Sequence, residues 1–253
     1  MSKTVLITGA SSGFGYEFVK LFTKDGFDLI LVARNKGRLE EIKKEFSNSK
    51  ITVIEKDLTK PNSVKELYNE IKEKSLKVDV LVNNAGYGLF GEFDKIDIEK
   101  QINMINLNIA ALTELTYYVV KDMKANKSGK ILNVASLAAF FPGPLMAAYY
   151  ATKAYVLSIS QALAEELKGT GVTVTALCPG PSATNFAKAA SADKTKLFAN
   201  GMSAEVVSKI GYDALMQNKR VVVSGKMNKL GAFFGKRLPQ KLVTSLVKKV
   251  SLR

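Results

Sequence analysis

Along most of the chain, short runs of branched aliphatic residues alternate with longer stretches in which apolar positions recur every three or four residues. The runs are TVLIT (4–8), DLILVA (28–33), ITVIE (51–55), VDVLVN (78–83), KILNVA (130–135), VTVTAL (172–177) and RVVVS (220–224). They are near-continuous in Val, Ile and Leu rather than alternating, which is what strands covered on both faces require. Such strands separated by helical stretches predict an α/β fold, a single doubly wound parallel sheet of about seven strands with helices on both faces. In a sheet of this kind ligands bind beyond the carboxyl ends of the strands, where the winding direction reverses. The residues that follow the strands are therefore the ones to read for chemistry. No repeat with a period of ~20 to 50 residues and no low-complexity linker interrupts the pattern.

Directly after the first run comes TGASSGFG (8–15), and a helical pattern begins at once. Gly9, Gly13 and Gly15 let the backbone turn tightly and approach a pyrophosphate, while the helix N-terminus directs free N–H groups and its positive dipole end at the anion. Ser11, Ser12 and Phe14 belong to the same turn. A glycine cluster alone is a weak signal, and its place between strand and helix is what marks it for a dinucleotide. The end of the second strand speaks to which dinucleotide. An NAD site usually offers an acidic side chain there to the ribose 2′-hydroxyl, whereas this chain has Ala33 followed by Arg34, with Arg38 one helical turn on. That favours NADP(H), since a charge-assisted hydrogen bond of ~1.5 to 3 kcal/mol gives a roughly ten- to hundredfold preference for the 2′-phosphate. After the third run, in EKDLT with Asp57 and Leu58, a carboxylate can accept from an adenine amino group or cap the helix beyond Pro61. NNAG (83–86) closes the fourth run, and Asn84, Ala85 and Gly86 can pass beneath the adenosine ribose.

Composition removes several chemistries. With 253 residues, 47% of them hydrophobic, the chain suits one domain with a full core. It contains no histidine and one cysteine, Cys178, so an intrachain disulfide, Cys/His zinc patterns and a Ser-His-Asp triad are all absent; no metal site is expected. The side chain most often used for acid and base work near neutral pH is missing. AAYYATK (147–153) offers a replacement. On a helix Tyr149 and Lys153 are i and i+4 neighbours and Tyr150 and Lys153 are i and i+3, so geometry alone does not choose between the tyrosines. A phenol with pKa ~10 can be brought down by one to three units by an ammonium within ~4 to 6 Å.

Together these residues resemble the short-chain dehydrogenase/reductase family, over roughly residues 4 to 186. The resemblance rests on TGASSGFG, NNAG, a serine closing the fifth strand at Ser136, the tyrosine-x-x-x-lysine pattern of YYATK, and Pro179 with Gly180 after the sixth strand. It implies a Rossmann-like fold and an NADP(H)-dependent oxidoreductase. The family places its serine thirteen residues before the tyrosine, which selects Tyr149, and an asparagine twenty-eight before the serine, which lands on Asn108. The implied catalytic set is Asn108, Ser136, Tyr149 and Lys153. Tyr149 exchanges a proton with the substrate oxygen as hydride passes to or from the nicotinamide, and Ser136 holds that oxygen. Lys153 lowers the tyrosine pKa and bonds the nicotinamide ribose, Asn108 anchors a water, and Thr184 contacts the carboxamide. Tyr150 is left to packing.

The resemblance leaves the substrate open. FFPGPLM (140–146) and the segment from about Phe186 to Met202, read as a mobile lid, suggest an apolar pocket with Phe141, Leu145 and Phe186 at the substrate, suiting an aliphatic or acyl carbonyl or alcohol. The rival readings are a non-catalytic NADP-binding sensor, for which the tyrosine and lysine would be superfluous, and a basic interaction protein. The net charge of +14 invites the latter, but no nucleic-acid motif or aromatic and basic stripe accompanies it. Excess apolar residues around Asn108 and Tyr149 imply a homodimer or homotetramer. Residues 1–225 form the cofactor-binding and catalytic domain, and 226–253 a basic amphipathic extension. In that extension Pro239 opens a helix with Leu242, Val243, Leu246, Val247 and Val250 on one face and Lys241, Lys248 and Lys249 towards the other. Phe233 and Phe234 precede it. Such a helix docks on protein or makes a peripheral membrane contact. The N-terminus shows no apolar leader, and the expected location is cytoplasmic.

Overall fold

The structure, a computed structural model, describes residues 2–184, 186–190, 192, 195, 201–235 and 237–252. Its main sheet has seven parallel strands in the order β3-β2-β1-β4-β5-β6-β9. These are β1 (Thr4–Thr8), β2 (Asp28–Ala33), β3 (Ile51–Glu55), β4 (Val80–Asn83), β5 (Gly129–Val134), β6 (Val172–Cys178) and β9 (Val221–Val223). The helices are α1 (Gly13–Lys24), α2 (Lys36–Glu45), α3 (Ser63–Glu73), α4 (Ile98–Ile105), α5 (Leu112–Ala125), α6 (Ala147–Glu166), a four-residue α7 (Phe186–Ala189), α8 (Ala204–Met216), α9 (Lys226–Gly235) and α10 (Gln240–Ser251). A short parallel pair, β7 (Ser182–Ala183) with β8 (Met202–Ser203), ties down the two ends of the segment expected to be a lid. Much of that segment, at 185, 191, 193, 194 and 196–200, lies outside the described residues.

Strand pleating sends successive side chains to opposite faces, and both faces are apolar. Val5 and Ile7 of β1 pack with Phe18, Val19 and Phe22 of α1, Leu39 and Ile42 of α2 and Leu215 of α8. Leu6, between them in sequence, packs on the other face with Leu67 and Ile71 of α3 and Leu115 and Val119 of α5. Each fully buried Leu, Ile or Phe contributes about 1.5 to 3 kcal/mol, so the two layers fix the register of every strand.

β1 pairs with β2 on one side and with β4 on the other, and this is the point at which the winding reverses. Two predicted strands shrink. VDVLVN begins only at Val80, and just before it the Asp79 carboxylate accepts from the backbone N–H of Thr4 at 3.0 Å. RVVVS contributes only Val221–Val223, at an edge where β6 is its one partner strand.

Candidate active site

A cavity of about 1340 Å³ opens at the carboxyl ends of the strands, over the reversal between β1 and β4. One wall is the glycine turn. Gly9 and Gly13 both have positive φ, at +66° and +55°. Gly15, inside the first turn of α1, has no room for a side chain, since a Cβ there would stand 2.1 Å from the Gly9 carbonyl oxygen. The turn is held from outside by Asn84, whose Nδ2 donates to the carbonyls of Thr8 (2.9 Å) and Gly9 (3.1 Å). Thr8 Oγ1 in turn accepts from the N–H groups of Asn84 and Ala85, each at 3.1 Å. At α1 the N-cap residue Ser12 makes no side-chain cap and the first turn carries no acidic residue. Its N–H groups and dipole are thus directed at the cavity without an internal anion.

Next to the turn, Arg34, Lys36, Lys56, Asp57 and Leu58 line the cavity. Arg38 does not join them. Asn35 caps α2 by accepting from the Arg38 N–H at 2.9 Å, while the Arg38 side chain pairs with Glu41 (2.9 Å) and lies over the Tyr16 ring. In this structure Arg38 therefore stands outside the cavity lining. Asp57 is not a helix cap, because α3 is entered through Asn62. It folds onto Thr59 instead, accepting from the backbone N–H at 3.0 Å and from Oγ1 at 2.8 Å. Its partial burial pushes its pKa up, but these two hydrogen bonds and the nearby charge of Arg34 outweigh that and leave it below the ordinary carboxylate value.

Across the floor, β5 ends at Val134 and delivers Ser136, while α6 presents Tyr149 and Lys153 on one face. Ser136 Oγ caps the short turn Leu137–Phe140 by accepting from Ala138 N–H at 3.1 Å, and Ser136 lines the cavity together with Tyr149. Lys153 Nζ donates to the Val134 carbonyl at 2.8 Å and lies 5.9 Å from the centre of the Tyr149 ring. Both residues are buried, at 8% and 6% exposure, and burial decides their protonation. It pushes the phenol well above its ordinary value, against the opposing influence of the Ser136 hydroxyl, and pushes the Lys153 ammonium down to about 8. Burial dominates the phenol here, while the Lys153 ammonium is turned towards a backbone carbonyl.

Asn108 lies behind these groups rather than in the cavity wall. It sits in a π-helical turn, Asn106–Ala111, that joins α4 to α5. Its amide donates to the Tyr87 carbonyl (2.9 Å) and to Thr152 Oγ1 (3.1 Å), and its Oδ1 accepts from the Tyr87 N–H (3.2 Å). The π turn presents this amide to the Gly86–Tyr87 strand end, and Gly86 is needed because a Cβ would come within 2.9 Å of Asn108 Oδ1. Asn83, the first residue of NNAG, is bound into the sheet: its Nδ2 donates to Thr116 Oγ1 and Asn133 Oδ1, both at 2.9 Å.

The remaining wall is apolar. Phe141 and Phe186 line it, and Phe186 packs on Tyr149 with ring centres 5.2 Å apart. Leu145 does not reach the cavity. Its backbone takes a left-handed φ of +66° and its carbonyl accepts from Gly91 N–H at 2.8 Å, which places it in a separate small pocket beside Phe93 and Met104. Tyr150 borders the cavity but is clamped by packing, with its ring against Gly143 and 6.1 Å from Phe141. Pro179, Gly180 and Thr184 complete the rim, the last standing 3.6 Å from where a Gly13 Cβ would be. The sequence reading missed Leu246, Val247 and Val250, which reach the cavity from α10. The apolar face of that helix was visible in the sequence, but its destination was not.

The tail is fastened to the domain at several places. Gly180 accommodates Asn228 of α9, Gly235 accommodates Phe141, and Val243 is 6% exposed. Among the described residues no helix is long and apolar enough to cross a membrane.

Residues 3–195 match the family described as short chain dehydrogenase. An uncharacterized oxidoreductase of Staphylococcus saprophyticus is 36% identical over 181 residues, covering 70% of this chain and 77% of the relative. A short-chain dehydrogenase from Sphingobium yanoikuyae, solved in complex with NADPH, superposes with a TM-score of 0.84 at 31% identity, covering 95% of this chain and 94% of that one. The bulky-bulky ketone specific alcohol dehydrogenase from Comamonas testosteroni superposes with a TM-score of 0.78 at 27% identity, covering 99% of this chain and 95% of that one. With the fold, the glycine turn and the buried tyrosine and lysine in one cavity, these similarities make the chain a member of the short-chain dehydrogenase/reductase family of oxidoreductases.

Proposed function

We propose that this protein is an NADP(H)-dependent carbonyl reductase, or the corresponding secondary-alcohol dehydrogenase, with Tyr149 as its general acid and base. The observation that carries the reading is the convergence of Ser136, Tyr149 and Lys153 on one cavity, shared with an uncapped helix N-terminus and a turn in which Gly15 admits no side chain. The first turn of α1 suits a pyrophosphate, and Asn84 and Gly86 pass beneath the adenosine half. Arg34, with Lys36 beside it, is the cationic partner for a 2′-phosphate. When bound there, the nicotinamide supplies or accepts the hydride.

The chain's own residues handle the proton. A substrate carbonyl oxygen placed between Ser136 Oγ and Tyr149 Oη receives hydrogen bonds from both, and the phenol proton passes to it as the carbon is reduced. The raised phenol pKa keeps Tyr149 protonated at neutral pH, which suits reduction. Lys153, with its pKa near 8, still holds a proton at pH 7 and releases it readily to restore the phenol. Asn108 keeps the Tyr87 peptide and Thr152 in place around that path. Phe141, Phe186 and the α10 side chains favour an apolar ketone or aldehyde.

The test is loss of nicotinamide absorbance with NADPH and a panel of aliphatic and aromatic ketones and aldehydes, run beside NADPH fluorescence. Turnover of apolar ketones with NADPH supports the reading. NADPH binding without turnover across the panel replaces it with a sensor, and failure to bind either nicotinamide removes it.

A further inference from the structure

After Asp213 the chain contains no acidic residue and ten basic ones. Six of these, Lys226, Lys229, Arg237, Lys241, Lys248 and Lys249, are exposed on or beside α9 and α10. Nine of the fourteen exposed large apolar side chains among the described residues fall in the same stretch, including Met227 at 77%, Leu230 at 50%, Phe233 and Phe234 at 49%, and Leu242 and Leu246 at 56%. These positions are not the docked face. That face is used by Val243, Val247 and Ser251, which pack against the domain, while Leu242, Leu246 and Val250, spaced four apart, form a stripe still about half exposed. Arg237 lies over the Phe233 ring at 3.7 Å, its guanidinium beside an exposed aromatic as interfacial side chains arrange themselves.

We propose that α9 and α10 form a peripheral membrane-binding surface that seats the cavity mouth on the headgroups of an anionic bilayer. Charge chooses this occupant. Two copies pairing through this face would bring lysines against lysines with no tail carboxylate to relieve them, whereas anionic lipid supplies both the negative charge and the apolar layer. The helices lie on the bilayer and do not span it, being ten and twelve residues long. Leu246 and Val250 are at once in the exposed stripe and in the cavity wall, so the cavity opens at the lipid surface. A substrate that partitions into the bilayer then enters directly, a corollary that rests on the reductase reading. The membrane contact itself does not.

The experiment is co-sedimentation of the full-length protein with vesicles of phosphatidylglycerol and phosphatidylcholine, and with phosphatidylcholine alone. Binding to the anionic vesicles only, released by raised salt, is expected. Lys241→Glu with Lys248→Glu and Lys249→Glu should weaken it at least about a hundredfold, from roughly fivefold or more per lysine. Lys43→Glu with Lys44→Glu and Lys65→Glu, which changes net charge equally on a remote surface, should leave it within a few fold. Protein that stays in the supernatant with anionic vesicles at low salt overturns the proposal, and this arm decides alone if the tail variant does not fold. Equal loss in the two triple variants overturns it in favour of net charge. A dimer broken by Phe233→Ser, without vesicle binding by the wild type, overturns it in favour of a second copy. None of these outcomes depends on NADPH turnover, so they are separate from the fate of the reductase reading.

Discussion

On the glycine-turn side of the cavity the wall is backbone: Gly9 and Gly15 lie against Asn84, which hydrogen-bonds the Thr8 and Gly9 carbonyls, and Gly13 holds a positive φ. On the opposite side it is side chains, with Phe141, Phe186, Leu246 and Val250 supplied by three separate segments. A backbone wall tolerates almost no change, because one added methyl collides with atoms that cannot move. A side-chain wall can be rebuilt with other apolar residues of similar volume. The first suits a cofactor of fixed shape, and the second a substrate that differs from one relative to the next.

Substitutions on each side should differ accordingly. The largest effect is expected from Gly15→Ala, whose Cβ would meet the Gly9 carbonyl at 2.1 Å. We expect NADPH affinity to fall by roughly a hundredfold or more, the scale of an overpacked rigid site, as measured by fluorescence titration. Near-normal binding would mean that the turn is softer than its contacts indicate. Arg34→Asp should come next, lowering the ratio of kcat/KM for NADPH over NADH by roughly ten- to a hundredfold. An unchanged ratio would transfer the role to Lys36 or Lys56, the other cations on this wall.

Lys153 joins the two walls and gives a smaller, pH-dependent effect. Its folded pKa, pushed down to about 8 by burial, lies below that of the unfolded chain, so between pH 8 and 10 the unfolded state binds more protons and stability gains with rising pH. Below pH 8 the burial cost is present in full. Relative to Lys153→Met, the wild type should therefore gain up to about 1.4 kcal/mol per pH unit across that window. Denaturant melts at several pH values measure this, and parallel pH profiles for the two proteins would contradict it. The smallest effect should come from the side-chain wall: Val247→Ala costs under about 1 kcal/mol, since this side chain is only partly buried, while shifting KM among ketones of different size. A change in cofactor affinity instead would mean that the walls are not independent.

The same contrast explains what could be read without a structure. Strand cores β1, β2 and β3 coincide with their apolar runs, because burial on both faces leaves an unbroken aliphatic signature. The backbone wall was legible because glycine at fixed spacing reports a conformation. The apolar wall was not, since amphipathic spacing reveals that a helix has a sticky face and nothing about what that face touches; hence the arrival of Leu246 and Val250 at the cavity went unseen. That Arg38 stands outside the cavity lining was not legible, because its side chain pairs with Glu41, a partner commonplace in sequence. That Leu145 lines the smaller pocket beside Met104 was not legible either, because a left-handed leucine has no sequence signature. The protonation of Tyr149 and Lys153 depended on burial, which spacing does not reveal.

The central claim is that Tyr149, and not its neighbour, moves the proton. The direct measurement is kcat for Tyr149→Phe and Tyr150→Phe on one ketone, with NADPH affinity determined for each. Loss of the Tyr149 hydroxyl should lower kcat by at least ~10²-fold, the scale of general acid catalysis, with NADPH affinity within a few fold of wild type. Tyr150→Phe, whose ring is held by packing against Phe141 and Gly143, should stay within a few fold in both. An active Tyr149→Phe, or a Tyr150→Phe equally impaired in kcat with its cofactor affinity intact, would contradict the account.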